Sequence, residues 1–145
     1  MKFGKVDHPE LIDFTFPEDH LGTEVILSKQ NKKASLNVYA GCAKWNRQDL
    51  KNFYPRGTKD ELIYYSSQFN SIELNATFYR LFPEEQYVKW YDKTPDNFKF
   101  FPKISQDISH LRRLNEKVYP IVDRYLEVTA NLKRKTGYYF FTNAR

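Results

Sequence analysis

The sequence has one cysteine, five glycines and one methionine in 145 residues. A single cysteine excludes an internal disulfide and suits a reducing compartment, so a cytoplasmic location is expected. With so few glycines there is no phosphate-cradling loop, and nucleotide-cofactor binding of the usual kinds finds no support. No apolar run approaches the ~20 residues that cross a bilayer. Mean hydropathy is −0.72, so no membrane partner is expected. The start, Met1-Lys2-Phe3-Gly4-Lys5-Val6-Asp7, lacks the apolar stretch of a secretory signal. Histidine is scarce as well. His8, His20 and His110 show no H-x-H or H-x-x-x-H spacing, which argues against a metal centre built by this chain alone. No cofactor is assigned.

What is abundant is aromatic bulk. Phe, Tyr and Trp make up 17% of the chain, within a hydrophobic fraction of 41%. That supports a buried core and argues against disorder. The length suits a single domain. Net charge is +5, from 23 basic and 18 acidic residues. Basic clusters fall at Lys29/Lys32/Lys33, Arg112/Arg113 and Lys133/Arg134/Lys135. They read either as solvated helix ends that complement the macrodipole or as a nucleic-acid surface interleaved with aromatics. The modest excess and the lack of a nucleic-acid motif favour the first reading.

Residues 1–35 are polar and irregular, and read as a lead-in segment with one short helix near 22–30. Residues 36–42 form a first strand. Thr58-Lys59-Asp60-Glu61 reads as a capping box opening a helix that turns Leu62, Ile63, Tyr65 and Phe69 inward. The second strand covers 70–76, with Ile72, Leu74 and Ala76 alternating against Ser71, Glu73, Asn75 and Thr77. Glu73 and Asn75 then share the polar face. Pro83 opens a helix that Thr94-Pro95 ends. The third strand covers 98–104, with Phe98, Phe100 and Pro102 on one face and Lys99, Phe101 and Lys103 on the other. A helical segment over 109–135, interrupted at Pro120, leads to a fourth strand from Gly137 to Thr142. Strands alternating with helices imply βαβ units and parallel pairing.

Several of these segments fall in one order: Val38-Tyr39-Ala40-Gly41-Cys42-Ala43-Lys44-Trp45, Phe53-Tyr54-Pro55, Phe69-Asn70-Ser71-Ile72-Glu73-Leu74-Asn75-Ala76-Thr77-Phe78-Tyr79, Trp90, Thr94-Pro95 and Phe98-Lys99-Phe100-Phe101-Pro102-Lys103. That order resembles the DUF72 family, also called YecE-like, over roughly residues 36–114 and more loosely to about 135. The first motif departs from the family's G-x-x-G-W, because Lys44 stands where the second glycine is expected. The resemblance implies a TIM-barrel-like fold with a pocket at the carboxyl ends of the strands, and it implies no established reaction. Such barrels need about 250 residues. The chain is therefore expected to be truncated after the fourth strand, with 36–145 forming the N-terminal half of the domain. Open sheet edges would then favour self-association.

By barrel logic Glu73, Asn75 and Lys103 point inward. A buried Glu73–Lys103 pair would serve acid–base chemistry or act as a structural bridge. Asn75 would orient a ligand. Arg80 would grip a phosphate or carboxylate, giving a small anionic ligand as partner. Trp45 and Tyr79 would wall a pocket for a ring or sugar, or belong to the core. His110 reads as a solvent-facing or structural residue, or as a metal ligand or proton carrier with Glu73. Cys42 reads as a small buried residue rather than a nucleophile.

Overall fold

The computed structural model describes residues 8–13, 15, 18–29 and 36–142. The chain divides into two compact units, Met1–Leu36 and Asn37–Arg145. In the first, a 3-10 turn spans Pro9–Leu11 and helix α1 spans Gly22–Ser28. His20 starts α1. Its Nδ1 accepts the Gly22 amide at 3.1 Å and its carbonyl accepts the Thr23 amide at 2.7 Å. No residue of α1 is buried. Lys32 and Lys33 lie outside the described residues.

The second unit mixes α and β. Helix α2 (Glu61–Gln68) leads to strand β1 (Ser71–Leu74), and the short helix α3 (Ala76–Tyr79) to α4 (Glu84–Lys93). Strand β2 (Lys99–Pro102) is followed by a π-helical turn at Asp107–Leu111 and a 3-10 turn at Glu116–Val118. Helix α5 (Tyr119–Thr129) runs into a 3-10 segment at Ala130–Lys135. β1 and β2 pair in parallel, with Ser71 opposite Lys99 and Leu74 opposite Pro102. The expected alternation puts Ile72, Leu74, Phe98 and Phe100 into a core with Leu62, Tyr65, Tyr87, Trp90, Val128 and Leu132. A second cluster gathers Ile108, Val118 and Tyr125.

The expected four-stranded parallel sheet is regular only over β1 and β2. Residues 38–42 do lie beside β1, and the Glu73 amide donates to the Cys42 carbonyl at 3.0 Å. Elsewhere side chains replace the ladder. Asn70 accepts the Ala40 amide and donates to the Val38 carbonyl, both at 2.8 Å. The buried Tyr65 hydroxyl accepts the Cys42 amide at 2.5 Å and donates to the Ser71 carbonyl at 3.0 Å. Spliced in this way, 36–42 is an extended segment rather than a strand. On the other flank Thr136 bridges Phe100 and Phe140 bridges Lys103, both in parallel. Four steps along one chain oppose three along the other, so one residue bulges and regular pairing is lost.

Three further expectations need correction. The cap of α2 is Asp60, whose carboxylate accepts the Leu62 and Ile63 amides, while the Thr58 hydroxyl bonds back to the Pro55 carbonyl. Glu61 instead accepts the Arg47 amide at 3.0 Å. The helix expected over 109–135 is divided, because Arg113 and Leu114 take positive φ values of 47° and 57°. Pro120 lies in the first turn of α5, where its missing amide proton is harmless, so it opens that helix rather than interrupting it.

Lys135 ties the end of this unit to α4. It is 2% exposed, and its Nζ donates to the Tyr91 and Thr94 carbonyls, both at 2.6 Å. Tyr91 is in the last turn of α4, where carbonyls lack helical partners, and the ammonium supplies the missing donor. Burial pulls the Lys135 pKa down from its ordinary value, and Asp96 opposes this. Lys135→Met keeps the apolar stem, removes the donor from the Thr94 carbonyl and leaves the Tyr91 carbonyl only its longer bonds from Thr94 at 3.3 and 3.5 Å. It should lower stability by about 2–3 kcal/mol, read as a shift in the urea midpoint at constant slope. Among the described residues no helix is long and apolar enough to cross a membrane.

Candidate functional site

The carboxyl end of β1 turns straight into α3. Asn75 has helical φ/ψ of −67° and −23°, and its amide donates to the Glu73 carbonyl at 2.9 Å. The expected strand over 70–76 therefore stops at Leu74, and Glu73 and Asn75 do not share one strand face. The cause lies at Thr77. Its buried hydroxyl sits 2.7 Å from the Leu74 carbonyl and 2.8 Å from that of Lys103, pinning α3 across both strand ends. Asn75 Oδ1 is buried and has no hydrogen-bond partner. A buried amide oxygen left unpaired in this way calls for an explanation.

Asn75 lines a cleft of about 620 Å³ together with Trp45, Tyr79, Phe82 and Trp90. The Trp45 and Trp90 rings meet edge to face at 5.5 Å, and Phe82 meets Trp90 at 5.1 Å. Trp45 is held by its loop: the Tyr54 hydroxyl donates to its carbonyl. Just beyond, Asn46 and Asp49 close a turn, with the Asp49 amide 2.9 Å from Asn46 Oδ1 and Asn46 Nδ2 2.6 Å from Asp49 Oδ2. Lys44 pairs with Asp49 at 3.2 Å. These bonds, led by that from Asn46, hold the Asp49 carboxyl below its ordinary range.

The other expected site residues fall close by but apart. Arg80 lays its guanidinium over Phe82, 4.3 Å from the ring centre. Glu73 lines an adjoining depression of about 390 Å³ with Tyr39, the half-buried Cys42, Phe101 and Phe140, and Ala43 lines both hollows. Register sets Phe101, not Lys103, opposite Glu73. Lys103 Nζ instead lies 4.8 Å over Phe78 and 5.8 Å over Phe140, so the expected Glu73–Lys103 bridge is not formed. His110 meets Phe78 edge-on at 5.0 Å and its Nδ1 lies 2.8 Å from the Ser109 hydroxyl, away from Glu73's hollow. Thus Trp45, Asn75 and Tyr79 come together, Glu73 stands next door, and Lys103 and His110 meet on Phe78. Sequence reasoning missed Phe82, Trp90 and the Lys44–Asp49 rim. Its one legible signal was Asn46-x-x-Asp49 directly after a tryptophan, the spacing of a side-chain-capped turn. Among the described residues no group of three His, Cys, Asp or Glu could hold a metal ion.

The family profile described as "Protein of unknown function DUF72" matches residues 39–142. The chain belongs to the DUF72 family. It is 35% identical over 78 residues to the UPF0759 protein YunF of Bacillus subtilis (strain 168), an overlap of 52% of this chain and 27% of that protein. Among solved structures it resembles a DUF72 family protein from Enterococcus faecalis V583, with TM-score 0.56 and 22% identity over 70% of this chain and 38% of the other. A second crystal structure of that protein aligns with TM-score 0.47 and 24% identity, over 54% of this chain and 33% of the other. The chain thus covers well under two thirds of the length of each of these proteins.

Proposed function

We propose that this DUF72 chain carries a small-molecule site in the cleft between Trp45, Asn75, Tyr79, Phe82 and Trp90. The observation that carries the reading is the unpartnered amide oxygen of Asn75 beside an aromatic-walled hollow of about 620 Å³. Apolar walls with few polar groups are the usual make-up of ligand pockets. The place supports it too, since ligands of parallel α/β sheets sit at the carboxyl ends of the strands. In this reading residues 37–142 supply the first units of a TIM-barrel-like fold, whose sites open at that same end. Glu73, in the adjoining hollow, is the carboxylate offered for proton transfer.

The basic surface gives less support to the alternative of nucleic-acid binding. Arg112 pairs with Asp107 at 3.3 Å, and Arg134 pairs with Asp96. Lys135 is buried and Lys133 stacks over Tyr91 at 5.1 Å. Cations engaged in this way are poorly placed to release counterions from phosphates.

Ala76 is exposed on α3 and lines the cleft. Ala76→Trp should fill the cleft and leave the core intact. In a metabolite screen read by ligand-observed NMR, compounds that bind the unaltered protein should lose binding to Ala76→Trp. Compounds that bind both proteins equally would place the site elsewhere, and a screen without binders would remove the reading.

A further inference from the structure

We propose that the ligand of this cleft is an anion carried on a ring, with the ring against the aromatic walls and the anionic group on Arg80; this rests on the cleft being the binding site. Four aromatic side chains line it, and Tyr79 is 68% exposed, a large ring face left at the rim. Rings of this kind take up flat or ring-shaped groups by stacking and by burial of apolar area. The charge comes from the next residue. Arg80 follows α3 directly, and its amide donates to the Ala76 carbonyl at 3.3 Å, which fixes where the side chain leaves the backbone. Its guanidinium rests on Phe82, one of the lining rings, and no carboxylate of the described residues pairs with it. Stacking on a ring leaves the N–H edge of a guanidinium free for a carboxylate or phosphate. Lys44, the cation in the cleft lining, is already paired with Asp49, whereas Arg80 reaches the cleft through the ring of Phe82.

An aromatic cleft could instead hold a cation. Arg80 argues against that, because its positive charge already covers a face of Phe82 and would repel a second one.

The chain has two tryptophans, and both line this cleft, so intrinsic tryptophan emission reports on it; both also border a polar hollow beside Asp60 and Lys93, so the Arg80 variants assign a change to the cleft. The full chain is titrated with phenyl phosphate and glucose 6-phosphate, which offer an aromatic and a sugar ring. Phenol, glucose, inorganic phosphate and choline are the controls. At least one ring phosphate should change the emission saturably, at concentrations at least tenfold below those of its separate halves. Arg80→Gln should weaken that ligand at least tenfold without altering the response to the neutral half, and Arg80→Lys should fall between. If a neutral half or choline binds as tightly as the ring phosphates, or if Arg80→Gln has no effect, the anionic class is wrong while the cleft remains a site. If no probe moves the emission, the ring-anion assignment falls. The Ala76→Trp screen then decides separately whether the cleft binds anything.

Discussion

Gly41→Ala should cost the protein a large share of its stability. A Cβ at Gly41 would stand 2.0 Å from the Ser71 carbonyl oxygen and 2.9 Å from the Tyr65 hydroxyl. The first of these is backbone in β1 and cannot rotate away. Relief requires the segment 38–42 to lift off β1, which breaks the Glu73–Cys42 bond and the bond from the Cys42 amide to the Tyr65 hydroxyl. Overpacking of a tight site destabilises by about 1–3 kcal/mol, and the lost buried bonds add to that. Against a total of roughly 5–15 kcal/mol this is a large share. Gly57→Ala is the control, because nothing lies within 4 Å of its added carbon and only its φ of +87° opposes the change. That substitution should cost about 1 kcal/mol. Urea unfolding followed by far-UV circular dichroism compares the two, and equal midpoints would refute the close approach.

Alkaline unfolding should be steep and should begin above pH 10. Tyr54, Tyr65, Tyr87 and Tyr125 are buried. Burial pushes the Tyr54 and Tyr87 hydroxyls up to about 12, and those of Tyr65 and Tyr125 higher still. In the unfolded chain a tyrosine ionises near pH 10. Between these values the folded state holds more protons than the unfolded one, so stability falls as pH rises. Each tyrosine contributes a slope of about 1.4 kcal/mol per pH unit, and together about 5 kcal/mol per unit. These tyrosines leave stability unchanged well below pH 10, and one to two units above it the fold should be lost. Of the eleven tyrosines, these four should add their phenolate absorbance at 295 nm only as the circular dichroism is lost. The full phenolate absorbance of all eleven tyrosines with an intact helical signal would contradict the burial of these hydroxyls.

The two strands were legible because their alternation is strong: Ile72 and Leu74, and Phe98 and Phe100, all reached the core. The flanking segments were not. Nothing local in Tyr65 or Asn70 reveals that their side chains will replace a ladder. The step at Asn75 was misjudged because Ala76 continues the period-two pattern, while the deciding contact, Thr77 to the Lys103 carbonyl, is long-range. Trp45 and Tyr79 were read as pocket walls and Asn75 as an inward polar residue, and the three share a cleft. Pairing Glu73 with Lys103 required a register that sequence does not state. Trp90 looked like core and is core at 7% exposure, yet one side of it faces the cleft.

The Lys135 anchor also bears on how the chain folds during synthesis. Its acceptors lie 41 and 44 residues upstream, and the Gly137 amide donates to the Phe100 carbonyl at 2.6 Å. Leu132, in the same segment, completes the main core. A nascent chain that has released α4 and β2 but not this segment has a core open to water. The Lys135 donor at the end of α4 and the partner on the outer edge of β2 are both missing. Non-local closure of this kind is slow, and exposed edges invite association. The ribosome therefore holds the chain in its most vulnerable form until Lys135 emerges, and chaperone demand should peak over that interval of translation.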